Sequence, residues 1–248
     1  MIYYLETNLI AIVIALILLI QNNMVSSKKE TSNIVFDFML WALIVVCVTD
    51  VTAYGYRGVS MLGAQISNVI YFIAMALGTY AWFLFVLIRV GRTNSLKRAL
   101  LFTSGPIVVL CIGLLLNPFT NFFYTIDQNA IYHRDTGVVI SWVVEWGYII
   151  LAFITNIMAI ISEKRKQVRL EQLGYLMFLI PMIASAVVQM FFYGVTSTQI
   201  GYMIALLLVY LNKQYYEVQT DALTGLSNRG AIFSFRDSVL SSSKEAVL

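Results

Sequence analysis

Long runs of apolar residues, separated by short polar segments, dominate the pattern along the chain. The first run, Leu9–Ile20, is unbroken, and Ile2–Leu5 extends it to about the 20 residues that cross a bilayer core. Six further runs follow at about 34–54, 64–90, 99–116, 138–161, 173–193 and 200–213. The pattern therefore predicts an all-α membrane protein, with a bundle of seven transmembrane helices over residues 1–213.

The composition agrees with this interpretation. Hydrophobic residues make up 60% of the chain and charged residues 12%, against roughly 45–50% and 25% in soluble proteins. The net charge of +3 is small, and it indicates no nucleic-acid partner. Cys47 and Cys111 both lie inside apolar runs, so we expect two small buried hydrophobic side chains rather than a disulfide or a metal site.

The basic residues are divided very unequally between the two ends of the predicted spans. Fourteen of the 16 Lys and Arg residues fall in segments on one side, and only Arg57 and Arg134 fall on the other. Because the side rich in Lys and Arg faces the cytoplasm, we predict a multi-pass protein of the inner (plasma) membrane. Its amino terminus is then outside and its carboxyl terminus inside.

A motif follows the last apolar run. Residues 221–229 read Asp-Ala-Leu-Thr-Gly-Leu-Ser-Asn-Arg, which resembles the entry motif D-x-L-T-G-L-x-N-R of the GGDEF family of diguanylate cyclases. The fixed positions of that motif are filled by Asp221, Leu223, Thr224, Gly225, Leu226, Asn228 and Arg229. Without the family, Asp221 as a helix cap followed by an ordinary turn explains the same residues.

The resemblance implies an α/β cyclase domain that condenses two GTP into cyclic di-GMP with the help of magnesium. Residues 221–248 are then the truncated start of that domain, and residues 214–220 a helical linker. No G-G-D-E-F or G-G-E-E-F occurs in this sequence, and phosphoryl transfer depends on positioned charge and metal. We therefore expect no catalytic residues, cofactor or metal site in these 248 residues.

The seven spans also resemble the amino-terminal sensor region of some bacterial histidine kinases, and the aromatic segment 117–124 supports this likeness. Together the two resemblances predict a sensor for signal transduction that regulates a cytoplasmic diguanylate cyclase domain. The alternative is a seven-helix receptor or transporter-like protein that carries a degenerate GGDEF remnant.

Acidic residues inside predicted spans suggest where a ligand binds. Each costs at least ~2.5 kcal/mol at a helix centre, and Asp50 and Glu145 both fall in the outer half of the bilayer. With aromatic and amide neighbours at the same depth they predict a pocket, open to the outside, for a small ligand, and two acids beside aromatic faces favour a cationic one. The predicted lining is Asp50, Tyr54, Gln65, Trp142, Glu145, Trp146 and Gln189.

Packing offers a simpler explanation for the same acids. Asp50 could pair with Arg57, and Glu145 could bond a neighbouring helix. Asp37 is expected to be an interfacial acid near the start of its helix. His133, with no second His or Cys nearby, is expected to be a solvated loop residue.

The last span is expected to continue as a helix toward the motif, because no Gly or Pro occurs between Gly201 and Gly225. Apolar residues recur along it at intervals of three and four, which is typical of a two-stranded seam. This predicted seam consists of Leu208, Leu211, Tyr215, Val218 and Ala222. It predicts a homodimer, although two heptads are equally compatible with residues that face lipid or other spans.

Overall fold

The computed structural model describes residues 2–25, 30–91, 96–191 and 197–219. These residues form eight α-helices and one small antiparallel sheet. The motif at 221–229 and Ala222 of the predicted seam lie outside the described residues. The side chains of Gln189 and Val218 are likewise not described.

The helices follow the apolar runs closely, since each run is bounded by polar or turn residues. Their bounds are α1 Ile2–Val25, α2 Thr31–Gly55, α3 Met61–Arg89, α4 Leu96–Thr120, α5 Val138–Ser162, α6 Lys166–Tyr175, α7 Leu179–Phe191 and α8 Ser197–Gln219. A single 3-10 turn, Leu176–Phe178, joins α6 to α7, so these two elements form one nearly continuous rod.

Six of these rods are long and apolar enough to cross a membrane. They are Leu5–Met24, Thr31–Gly55, Met61–Arg89, Thr103–Thr120, Val138–Ser162 and Lys166–Val188. The chain is therefore a predominantly helical multi-pass membrane protein. The seventh predicted span, 200–213, lies within α8, which is not among the six; it carries Gln199, Asn212 and Lys213 besides its apolar residues.

The sixth rod begins earlier than the sequence predicts. The sixth span is predicted to begin at about residue 173, after a basic segment, yet the chain is helical from Lys166 onward. Lys, Gln, Arg, Leu and Glu are all good helix formers, and the charged face of α6 points to solvent with Lys166 and Arg169 exposed. The charge of this segment marks the end of the apolar zone, not the end of the helix.

The helices pack in a ring, in which α8 closes the circle. Helices α1, α2, α3 and α5 contact one another in that order, α6 contacts α5, and α8 contacts α1, α2, α6 and α7, while α4 packs mainly against α3. The interior is aromatic: the Trp82 and Phe178 rings stack with centroids 3.8 Å apart, and Phe36 stacks on Tyr210 of α8 at 6.1 Å. Large apolar side chains on the outside remain exposed, among them Leu101, Val109 and Ile161, as expected where lipid is the solvent.

A hairpin covers one end of the ring. Strands β1 (Tyr124–Ile126) and β2 (Tyr132–Arg134) pair antiparallel within the segment 117–137. Asn117, fully buried in the last turn of α4, accepts a hydrogen bond from the Phe123 N–H at 2.8 Å and donates one to the Tyr124 carbonyl at 2.9 Å. We call this the hairpin end, and we call the opposite end, where α3 finishes at Arg89, the basic end.

Candidate functional site

At the hairpin end, a carboxylate joins three helices. Asp50 of α2 accepts a hydrogen bond from the side-chain amide of Asn8 in α1, and another from that of Gln199 in α8. Both bonds reach the same oxygen, Oδ2, at 3.1 Å. Asn8 is fully buried and Gln199 is 4% exposed, whereas Asp50 is half-buried. We call these three residues the hairpin-end cluster.

A second acid joins the same three helices at the basic end. Asp37 of α2 accepts a hydrogen bond from the Asn22 amide of α1 at 2.8 Å, and one from Asn23 at 3.4 Å. The Lys213 ammonium of α8 donates to Asn22 Oδ1 at 2.6 Å and lies 5.6 Å from the centroid of the Phe36 ring. We call Asp37, Asn22 and Lys213 the basic-end cluster.

The basic-end cluster has contacts that the sequence does not predict. Asp37 lies in the second turn of α2, and its carboxylate accepts hydrogen bonds from two amides of α1. Lys213 lies in the last two turns of α8, and its side chain is 1% exposed. Burial of an ammonium group requires hydrogen-bond partners, and Asn22 supplies one.

The two clusters are spaced alike on two helices. Asn8 and Asn22 are 14 residues apart on α1, and Gln199 and Lys213 are 14 residues apart on α8. Fourteen residues are two heptads, about 21 Å along a helix, so both positions face the same side of each helix. Helices α1 and α8 therefore run in the same direction, and α8 extends over most of the length of α1.

The predicted pocket residues are only partly brought together. Glu145 is half-buried on α5, and Tyr71 of α3 lies in the neighbourhood of both Asp50 and Glu145. The Tyr71 ring packs edge-on against Phe72 at 5.3 Å. Sequence reasoning missed Tyr71 because one tyrosine among many in an apolar run carries no distinguishing signal.

The other predicted residues have separate surroundings. The Arg57 guanidinium lies 4.5 Å from the Tyr54 ring centroid, and the Arg134 guanidinium 5.5 Å from that of Trp142. Gln65 is buried, and its backbone carbonyl accepts a hydrogen bond from Tyr124. Trp146 packs against the core. These contacts place aromatic side chains around the hairpin end.

The hairpin above these residues is held by one carboxylate in its turn. Asp127 accepts hydrogen bonds from the backbone N–H groups of Asn129 and Ile131, each at 2.9 Å, and contacts His133 Nε2 at 3.1 Å. These contacts hold the pKa of Asp127 below its usual range, with the largest contribution from the Ile131 N–H and the next from His133. His133 is exposed, as expected, although it contacts Asp127.

A further network holds α8 near the basic end. Arg89 of α3 donates to the hydroxyl of Tyr175 at 3.0 Å and to Glu171 of α6, and Tyr175 donates to Glu171 at 2.7 Å. The amide of Asn212 in α8 donates to the Glu171 carbonyl at 3.0 Å. The Ser197 hydroxyl of α8 also donates to the Ser185 carbonyl of α7 at 2.9 Å, so α8 makes polar contacts with α1, α2, α6 and α7.

Of the predicted seam, Leu211 and Tyr215 are 54% and 59% exposed, and they lie one turn apart on the same face of α8. Leu208 is half-buried.

Comparison with protein-family models, with curated proteins and with solved structures finds no match to this chain.

Proposed function

We propose that this protein is a seven-span membrane sensor whose last helix transmits a signal to a cytoplasmic diguanylate cyclase domain. In this proposal α8 is the seventh span, the hairpin end faces outside, and the basic end faces the cytoplasmic GTP pool. The complete cyclase domain would bind GTP and magnesium. The residues that would hold these ligands are not among the 248 of this sequence.

The observation that carries the proposal is the position of α8. This helix supplies Gln199 to the hairpin-end cluster and Lys213 to the basic-end cluster, and it remains helical to Gln219. The motif begins at Asp221. A change at Asp50 therefore acts on the element that leads directly into the cyclase motif.

The mechanism needs two positions of α8 with different cyclase activity. A ligand can shift that equilibrium only as far as it prefers one position. At the hairpin end the available chemistry is a carboxylate with two amide donors, so neutralising or displacing Asp50 weakens the attachment of α8 to α1 and α2. Pairing of two copies through the exposed Leu211 and Tyr215 face would then bring two cyclase domains together.

The first experiment measures cyclic di-GMP in bacteria that express the complete reading frame of the gene. We expect a higher level than in cells with an empty vector, and a change of at least about 5-fold on Asp50→Asn substitution, the lower range of measured coupling. Gln128→Ala, an exposed change in the hairpin turn, is the matched control and should leave the level unaltered.

Membrane abundance of each variant must be measured in parallel, so that loss of protein is not mistaken for loss of signal. A reading frame without a G-G-D/E-E-F segment beyond residue 248 would refute the cyclase part of the proposal. Asp50→Asn with an unaltered level, at equal abundance, would refute the role of the hairpin-end cluster in signalling.

A further inference from the structure

The connection between α5 and α6, at the basic end, carries several exposed positive charges. Helix α5 ends at Ser162 and α6 begins at Lys166, so only residues 163–165 join two rods that are each long and apolar enough to cross a membrane. Three residues reach only a short way from the bilayer. Lys164, Lys166 and Arg169 are exposed there, and their charges are therefore held at the depth of the lipid headgroups. We call these three residues the basic patch.

The acids of this connection are engaged elsewhere. The Glu163 carboxylate pairs with the Arg165 guanidinium at 3.0 Å, and the Glu171 carboxylate pairs with Arg89 of α3. Within the described residues, no side chain of the basic patch takes part in an ion pair. Three cations thus lie within a stretch of six residues without an acid of this chain beside them, and like charges this close repel one another unless an anion lies between them.

An apolar stripe continues from the basic patch along the rod of α6 and α7. Positions 166, 169, 173, 177 and 180 recur at intervals of three and four, so they share one face of the rod. Leu173, Met177 and Ile180 on this face are 42%, 46% and 65% exposed. The stripe is about 20 Å long. Going into the bilayer, the rod therefore presents cations first and apolar side chains next, which matches the order of phosphate and acyl chain in a phospholipid.

We propose that the basic patch and this stripe bind an anionic phospholipid of the surrounding bilayer. Its phosphate oxygens accept hydrogen bonds from the ammonium and guanidinium groups of the patch, while an acyl chain packs along Leu173 and Met177. A soluble anion or an acidic protein would match the charge but would leave the apolar stripe uncovered. The lipid matches both parts, and anionic headgroups attract basic residues at a membrane surface.

The proposed lipid lies close to the contacts between α6 and α8. Two residues after Arg169, the Glu171 carbonyl accepts a hydrogen bond from the Asn212 amide of α8 at 3.0 Å. A Cβ atom at Gly174 would overlap the Asn212 side chain, so the two helices approach closely here. The site depends only on the helix bundle, and it stands whether or not a cyclase domain follows.

The test measures lipid binding to the purified full chain in a neutral detergent by native mass spectrometry. Phosphatidylglycerol is the anionic probe, and phosphatidylcholine with the same acyl chains is the neutral one. Each basic residue near an anionic headgroup is expected to strengthen binding about 5-fold. We therefore expect phosphatidylglycerol to bind at least about 25-fold more tightly than phosphatidylcholine, as two such residues would give.

A pair of double variants locates the lipid. Lys166→Gln with Arg169→Gln should weaken phosphatidylglycerol binding about 25-fold and leave phosphatidylcholine binding unaltered. Arg57→Gln with Arg134→Gln is the matched control, because it removes two charges at the hairpin end, where each guanidinium lies over an aromatic ring. The control should bind phosphatidylglycerol like the unaltered chain. Unfolding temperatures without added lipid establish that both variants are folded.

Equal affinity of the unaltered chain for the two lipids would overturn the proposal. So would an equal loss of affinity in the two double variants, since the preference would then reflect net charge alone. Glycerol phosphate, which carries the charge without acyl chains, should not displace phosphatidylglycerol at equal concentration; displacement would identify a soluble anion as the occupant and overturn the lipid assignment. No readout involves cyclic di-GMP, so failure here and failure of the proposed function are separate results.

Discussion

At the scale of single residues, a buried charge is the feature that most needs an explanation. Lys213 is 1% exposed, and its ammonium lies against Asn22 Oδ1 and the Phe36 ring. Removing one member of a buried polar pair leaves the other without its partner, and this loss costs more than the pair contributes when intact.

We therefore expect Lys213→Met to lower the free energy of unfolding by about 2 kcal/mol, because Asn22 Oδ1 would remain buried and unsatisfied. Thermal unfolding in detergent measures the change. Lys166→Met is the control: Lys166 is exposed at the start of α6, and surface changes usually stay within about 0.5 kcal/mol. Equal unfolding temperatures for both variants would contradict the basic-end cluster.

The hairpin turn gives a prediction about pH. The pKa of Asp127 is lowered by the Ile131 N–H and by His133, so the ionised carboxylate stabilises the turn above the pKa of an unfolded aspartate, about 3.9. That stabilisation is lost as the pH falls through the lower, folded-state pKa. The protection of the Ile131 amide from hydrogen exchange, taken relative to its intrinsic rate at each pH, should therefore fall only in acid, and Asp127→Asn should remove this dependence. Unchanged protection throughout the acid range would be evidence against it.

At the scale of elements, close approach of α7 to α8 depends on a missing side chain. A Cβ atom at Gly201 would lie 2.2 Å from Ser185 Oγ and 2.8 Å from the Pro181 carbonyl. The second contact cannot be relieved by movement of a side-chain end, since its partner is a backbone carbonyl. Small residues permit this kind of approach between helices in membranes.

Gly201→Ala should consequently force α7 and α8 apart and cost about 1–3 kcal/mol of unfolding free energy. Gly147→Ala is the matched control, because nothing lies within 4 Å of its Cβ position, and alanine favours a helix by up to about 1 kcal/mol. The two alanine variants should differ in sign. A stabilising Gly201→Ala would show that the helices are not packed this closely.

At the scale of the whole molecule, the orientation in the membrane can be tested with introduced cysteines. In a background that lacks Cys47 and Cys111, a cysteine at Gln128 of the hairpin turn should react with a membrane-impermeant maleimide added to intact cells. A cysteine at Lys164, exposed at the basic end, should react only after permeabilisation. The reverse pattern would place the motif outside and end the cyclase proposal.

The predicted dimer is tested in the same cysteine-free background. Leu211 and Tyr215 are exposed on one face of α8, whereas Val209 is fully buried. Cysteine at 211 or 215 should form a disulfide between copies in native membranes, and cysteine at 209 should not. Absence of cross-linking at both exposed positions, at normal expression, would indicate that this face contacts lipid.

The sequence by itself determined the membrane character of the chain and the approximate position of each apolar rod. These features are local: an apolar run of sufficient length needs a bilayer whatever its neighbours are. Hydropathy did not predict the start of α6, where the charged residues from Lys166 onward are helical, and it did not predict the two strands, which are only three residues long. It also did not separate the six apolar helices from the more polar α8.

Only the tertiary structure decided which polar residues meet. Asp50 was singled out from the sequence, but its partners Asn8 and Gln199 lie 42 and 149 residues away, and Lys213 lies 191 residues from Asn22. A polar residue in an apolar run indicates that its side chain needs a hydrogen-bond partner, since burial without one is costly. The sequence does not show which residue is the partner, because that depends on how the helices are arranged around the ring.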